Sequence, residues 1–191
     1  MKIVYGGSFN PPTLAHTKII ERLITLYPSA GMIIVPVGDD YRKKELVSFH
    51  HRYMMIKLAT KHIENIMIST IEDERPYQGT LATLKELEAI DQELLFVIGS
   101  DNLVHFDQWI NYKELLSSYP CIVMNRSGYM TKEEADLMFQ EIPHKFIFLD
   151  FDYPIASSQI RNNVHLYRQH LSEDVYQYIK HHHVYEVKNH V

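Results

Sequence analysis

Short apolar runs alternate along this chain with longer segments in which apolar residues return every three or four positions. The runs at residues 2–5, 32–37, 65–70, 94–99, 120–125 and 145–149 have strand length and β-type composition, which predicts six strands. Between the first two, Ile19, Ile20, Leu23, Ile24 and Tyr27 recur at helical spacing, and residues 54–62 and 81–90 behave likewise. A closing helix is predicted over 172–182. There Val175, Tyr178 and Ile179 share a face, Ser172 is a suitable N-cap, and Glu173 and Asp174 complement the positive helix end. Residues 184–187 read as a short extended tail. Strand and helix in alternation imply an α/β fold, a doubly wound and mostly parallel sheet with helices on both faces. Ligands in such sheets bind beyond the carboxyl ends of the strands, where strand order reverses. The residues that directly follow each strand therefore carry most of the functional signal, and the polar stretch 38–48 has the length of a loop that covers a site.

Composition narrows the class. A chain of 191 residues, 46% hydrophobic with 7 Gly and 8 Pro, can bury one sizeable core, so residues 1–191 are expected to form a single domain. A formal net charge of -5 argues against nonspecific nucleic-acid binding, which requires a clustered basic surface. Cys121 is the one cysteine and lies in an apolar run, so it is expected to be a buried thiol in a reducing, cytoplasmic setting. The first residues run straight into glycines without the apolar core of a secretory signal, and no apolar run reaches membrane-spanning length.

The first chemical motif is Gly6-Gly7-Ser8-Phe9-Asn10-Pro11-Pro12-Thr13-Leu14-Ala15-His16. Its glycines allow close backbone approach, Ser8 adds a donor, and the helix opened by Thr13 offers free N–H groups to an anion. Neither proline can donate within a helix, so both must precede it. His16 then lies one turn from Thr13 on the same face. Taken alone, this pattern is equally that of a tight turn, an ordinary N-cap and a surface histidine. A second motif, Ile155-Ala156-Ser157-Ser158-Gln159-Ile160-Arg161, follows a proline that cannot continue a helix from upstream. Ser157 or Ser158 can cap a new helix, Arg161 falls one turn later, and all three can converge on one anion.

These two strings resemble the G-(S/T)-F-(N/D)-P-x-(H/T)-x-x-H and I-S-S-T-x-x-R motifs of the nucleotidyltransferase superfamily. A third stretch, Ile98-Gly99-Ser100-Asp101-Asn102 followed by Trp109 and Glu114-Leu115-Leu116, is similar to G-(A/S)-D-x…W…E-L-L of bacterial nicotinate-nucleotide adenylyltransferases. Further likeness runs through Ser48-Phe49-His50-His51-Arg52, Asn125-Arg126-Ser127-Gly128 and the ending from Val175 to Tyr185. The chain departs from the family at Thr13, where most bacterial relatives have His, and at Ala15, where they have Gly. It has Gly79-Thr80-Leu81-Ala82-Thr83 in place of Y-T-x-D-T, which lacks the tyrosine and the aspartate.

The resemblance implies a Rossmann-like nucleotidyltransferase that moves AMP from ATP, accompanied by Mg²⁺, to a pyridine mononucleotide, with nicotinate mononucleotide the expected acceptor. It implies His16, Arg161 and Thr13 as the catalytic set. Gly7, Ser8, Phe9, Thr13, His16, Gly99, Asp101, Ser157, Ser158 and Arg161 are expected around ATP. Asn10, Lys44, Arg52, Thr80, Thr83, Trp109 and Arg126 are expected around the acceptor. Nucleic acid and membrane are not expected partners, and a homo-oligomer is compatible with the pattern. No CxxC or HExxH occurs, and adjacent residues of His181-His182-His183 on a helix point about 100° apart, so no dedicated protein metal site is expected. The alternatives are a nicotinamide-mononucleotide or pantetheine-phosphate adenylyltransferase, a cytidylyltransferase, or a non-catalytic nucleotide sensor.

Overall fold

All six apolar runs are strands in the computed structural model, which describes residues 1–41, 45–153 and 155–185. They are β1 (Lys2–Gly7), β2 (Gly31–Pro36), β3 (Ile66–Ile68), β4 (Leu94–Gly99), β5 (Cys121–Asn125) and β6 (Phe146–Asp150). The central strands read as unbroken apolar runs because both of their faces are covered; five residues of β2 and five of β4 are buried. The sheet order is β3-β2-β1-β4-β5-β6 and every pairing is parallel, which sharpens the expected mostly parallel sheet to an all-parallel one.

Between the strands lie α1 (Leu14–Leu26), α2 (Phe49–Ala59), α3 (Thr80–Leu87), the single turn α4 (Ser100–Leu103), α5 (Tyr112–Ser118) and α6 (Lys132–Met138), and after β6 come α7 (Ser157–Asn162) and α8 (Glu173–His181). One layer joins Leu84 of α3, Leu115 of α5 and Ala135 of α6 to Val4, Val35, Phe96 and Val123 of the sheet. The opposite layer joins Ile20 and Leu23 of α1 to Ile3, Ile34, Val97 and Ile122. Alternate residues of one strand thus serve opposite layers, as the period of two requires. Side chains of this size each contribute about 1.5–3 kcal/mol when fully buried.

α2 begins five residues before its periodic stretch because it packs on two sides. Ile56 faces the α1 layer, whereas Met55 and Ala59 join Ile160 of α7 and Val175 and Ile179 of α8 in a third cluster. Ser172 caps α8 as expected, its hydroxyl accepting from the Val175 N–H. In place of the expected extended tail, residues 184 and 185 form a turn, and the remainder of that segment lies outside the described residues. Among the described residues no helix is long and apolar enough to cross a membrane.

Because β2 and β4 flank β1 on opposite sides, the chain leaves the carboxyl ends of β1 and β4 toward different halves of the sheet. A crevice opens there, and the motifs identified in the sequence converge on it.

Candidate active site

The crevice is a cleft of roughly 470 Å³ above β1 and β4. Its floor is the segment between β1 and α1. Phe9 has a φ of 45°, an unfavourable value for a residue with a side chain, and the asparagine after it is joined to Pro11 by a cis peptide. Packing holds Phe9 there: it is 3% exposed, and its ring meets Tyr5 edge-on at 5.4 Å and His16 at 5.2 Å.

Thr13 caps α1 in an extended conformation. Its N–H donates to His16 Nδ1 at 2.9 Å, and its hydroxyl lies 2.9 Å from the same nitrogen. An Nδ1 that accepts a backbone N–H leaves the ring proton on Nε2. Burial, followed by the nearby Arg126 charge, pushes the His16 pKa down to about 4, with the Thr13 bond opposing. His16 is therefore a neutral Nε2–H donor near pH 7. Thr13, expected to donate to phosphate itself, is buried with both of its polar groups directed at the histidine, so its contribution in this structure is to orient that ring.

α7 closes another side of the cleft. Its N-cap is Ala156 rather than either serine, because the Ser157 hydroxyl donates to the Pro11 carbonyl at 3.0 Å. Arg161 Nη1 donates to the Asn10 carbonyl at 2.9 Å, Nη2 lies 3.4 Å from the Glu45 carboxylate, and Nε is buried with no hydrogen-bond partner. The two motifs at opposite ends of the chain are thus joined through the carbonyls of Asn10 and Pro11. The Asn10 side chain is engaged within the protein, donating to the Glu45 carbonyl at 2.8 Å and accepting from the Tyr185 hydroxyl at 2.8 Å.

At the ends of β4 and β5, the Arg126 N–H donates to the buried Ser100 hydroxyl at 3.0 Å. Its guanidinium stands 3.6 Å from the Asp101 carboxylate and is 38% exposed, so it is available to an anion. On the other side, Trp109 stacks on Phe106 with ring centroids 4.7 Å apart, and Thr80 and Thr83 of α3 line the cleft.

Of the residues expected around the nucleotides, Gly7, Ser8, Phe9, Asn10, Thr13, His16, Thr80, Thr83, Gly99, Asp101, Trp109, Arg126, Ser157, Ser158 and Arg161 all line this one cleft. Arg52 does not. It is fully buried and donates to Val47 O at 2.9 Å, Ser8 O at 3.3 Å and Asp39 at 2.9 Å, tying the floor loop to the loop after β2. Lys44 lies outside the described residues. The cleft also takes in Tyr5, Tyr41, Glu72 and Tyr77, which no motif marked. Tyr77 meets Tyr41 edge-on at 4.9 Å, and its N–H donates to Asp40 at 2.7 Å. An aromatic wall therefore exists although the tyrosine of the family string is absent.

A parallel sheet of this order, with a helix start, a neutral histidine and two arginines gathered at its switch point, defines a nucleotidyltransferase of Rossmann-like fold. Residues 4–163 match the cytidylyltransferase-like family. The chain is 35% identical over 187 residues to a protein of Acholeplasma laidlawii named "probable nicotinate-nucleotide adenylyltransferase", covering 97% of this chain and 98% of that one. A Helicobacter pylori protein of the same name is 35% identical over 163 residues, 83% of this chain and 89% of its own length. The fold is similar to that of Plasmodium falciparum nicotinic acid mononucleotide adenylyltransferase complexed with NaAD, with a TM-score of 0.81, 20% identity and 96% of each chain covered. The chain belongs to the cytidylyltransferase-like family and, within it, to the nicotinate-nucleotide adenylyltransferases.

Proposed function

We propose that this protein transfers the adenylyl group of ATP to nicotinate mononucleotide, forming deamido-NAD and pyrophosphate in a reducing, cytoplasmic setting. The observation that carries the reading is His16. It is a neutral imidazole whose Nδ1 is occupied and whose remaining N–H belongs to a cleft that also holds Arg126 and Arg161.

In this reaction an oxygen of the acceptor phosphate attacks the α-phosphorus of ATP. The bond to the bridging oxygen of the β-phosphate breaks, and pyrophosphate leaves without a covalent enzyme intermediate. The protein supplies position and charge stabilisation. His16 Nε2–H donates to an α-phosphate oxygen as negative charge builds, while Thr13 keeps the ring in the required tautomer. Arg161 and the start of α7, which line the cleft, hold the leaving phosphates. Trp109 offers a flat apolar face to the pyridine ring.

Among the described residues no group of three His, Cys, Asp or Glu could hold a metal ion. Mg²⁺ would travel with ATP and would neutralise charge on the triphosphate, and Asp101, a carboxylate that lines the cleft, would face it. The test is pyrophosphate release with ATP, Mg²⁺ and, in separate reactions, nicotinate mononucleotide, nicotinamide mononucleotide and phosphopantetheine. Release with the nicotinate acceptor is expected, and failure with all three would leave a nucleotide-binding protein without this activity.

A further inference from the structure

One motif of the sequence has no part in the proposed chemistry, the ending that runs from Val175 to Tyr185. α8 stops at His181, His182 is its C-cap, and His183 follows with a left-handed φ of 52°. The His183 N–H donates to the Lys180 carbonyl at 3.4 Å and the Val184 N–H to the Ile179 carbonyl at 3.0 Å. This pair of bonds is a Schellman ending, in which the residue after the left-handed one turns back onto the apolar face of the helix. Val184 does so and is 6% exposed, in the cluster that holds Met55, Ile160 and Val175. Reversed in this way, the chain delivers Tyr185 to Asn10, 175 residues earlier.

Asn10 is 3% exposed, so its amide must be satisfied inside the protein. Nδ2 donates to the Glu45 carbonyl at 2.8 Å. Oδ1 accepts a long bond from the Val47 N–H at 3.4 Å and a short one from the Tyr185 hydroxyl at 2.8 Å. Burial pushes the Tyr185 phenol above its ordinary range, with the Arg161 and Arg52 charges opposing, so the hydroxyl keeps its proton and donates. The two residues that this amide ties together, Asn10 and Glu45, are the two that hold Arg161. Nη1 donates to the Asn10 carbonyl at 2.9 Å and Nη2 to the Glu45 carboxylate at 3.4 Å. The Glu45 side chain is 74% exposed and holds little by itself. The direction of the guanidinium therefore depends on the Asn10 backbone, and that backbone on an amide with Tyr185 at one of its two short bonds.

We propose that Tyr185 is a positioning residue for the ATP end of the cleft, its hydroxyl locking the Asn10 amide and thereby the carbonyl that aims Arg161. This rests on the proposed role of Arg161 with the phosphates of ATP. Tyr185 is not among the residues that line the cleft, so it acts through Arg161 rather than on a substrate. Without the hydroxyl, Oδ1 keeps only the long bond from Val47, and the loop that carries Asn10 is free to shift the guanidinium away from the phosphates.

The experiment is KM for ATP and for nicotinate mononucleotide in the wild type, Y185F, R161A and the double variant. Y185F removes one oxygen and keeps the ring packed on the third cluster, and thermal unfolding checks that each variant is folded. In Y185F, KM for ATP should rise about threefold to tenfold, the scale of one lost hydrogen bond, while KM for nicotinate mononucleotide stays unchanged. In the R161A background the same substitution should add nothing, because residues that act through one another are not additive. An unchanged KM for ATP in Y185F, an equal rise for both substrates, or the same rise with and without Arg161 overturns the role of Tyr185. If R161A alone leaves KM for ATP unchanged, the proposed role of Arg161 fails and this inference falls with it. If the wild type releases no pyrophosphate, the proposed reaction fails, and the same comparison is made with Kd for ATP and Mg²⁺ by calorimetry. There a loss of affinity in Y185F that disappears in the R161A background supports the clamp, and a wild type that does not bind ATP overturns it.

Discussion

At the scale of single residues, the proposed chemistry depends on which nitrogen of His16 carries the proton. The Thr13 N–H decides this by occupying Nδ1, and burial keeps the ring neutral. His16→Ala should lower kcat by about a hundredfold to a thousandfold, the scale of a lost oxyanion donor, with the fold retained. Near-normal turnover in stopped-flow or steady-state assays would contradict the assignment. The neutral ring has a second consequence. Its folded pKa of about 4 lies below the ordinary value of 6.5, so between those values the unfolded chain binds a proton that the folded protein does not. This residue's contribution to stability is therefore full above pH 6.5 and declines as pH falls toward 4. In an NMR titration the His16 ring resonance should stay at its neutral position until near pH 4, and a midpoint near 6.5 would contradict it.

At the scale of elements, the site depends on loops that are fastened to one another. Arg52 carries no ligand role in this geometry. Its three donors reach Val47, Ser8 and Asp39, which ties α2 to the floor of the cleft and to the loop after β2. Arg52→Ala should destabilise the protein by about 3 kcal/mol, because it empties a fully buried site and leaves the Val47 and Ser8 carbonyls unserved. Urea denaturation should show a lower midpoint, and an unchanged midpoint would show that these loops stand without it. Gly38 fastens the second pair of loops, since a side chain there would collide with the Glu72 backbone. Gly38→Ala should raise KM for the acceptor severalfold and alter KM for ATP much less, because the Glu72 and Tyr77 wall lies apart from Arg161. Equal changes in both constants would argue for general disruption of the cleft.

At the scale of the whole molecule, the cleft collects residues from nearly every part of the chain, from Val4 to Arg161. Ligands that bind there should stabilise the folded state by mass action, about 2.7 kcal/mol when present at 100 times Kd. Thermal unfolding should accordingly shift upward with ATP and Mg²⁺ and, separately, with the acceptor. Arg161→Ala should lose most of the ATP-dependent shift and keep the acceptor-dependent one. Loss of both would mean that α7 shapes the entire cleft rather than its phosphate end.

Strands, main helices and the two motifs at the cleft were legible in the sequence alone, because each is written in local periodicity or in a contiguous string. Covered central strands must be apolar throughout, a helix packed on one layer must show its stripe, and a chain reversal beside a phosphate needs glycine and proline at set places. The roles of residues within those motifs depended on contacts that no spacing encodes. Thr13 looked like a phosphate donor until its N–H and hydroxyl were found at His16 Nδ1. Ser157 looked like a cap until its hydroxyl was found on Pro11, 146 residues away. Arg52 looked like a ligand cation until burial joined it to three partners of the protein itself. Tyr77 and Glu72 carried no signal at all, since irregular loops rather than elements bring them to the cleft. Hydrogen bonds are short-ranged and directional, so which donor meets which acceptor was decided only when β1, α7 and the loops after β2 and β3 packed together.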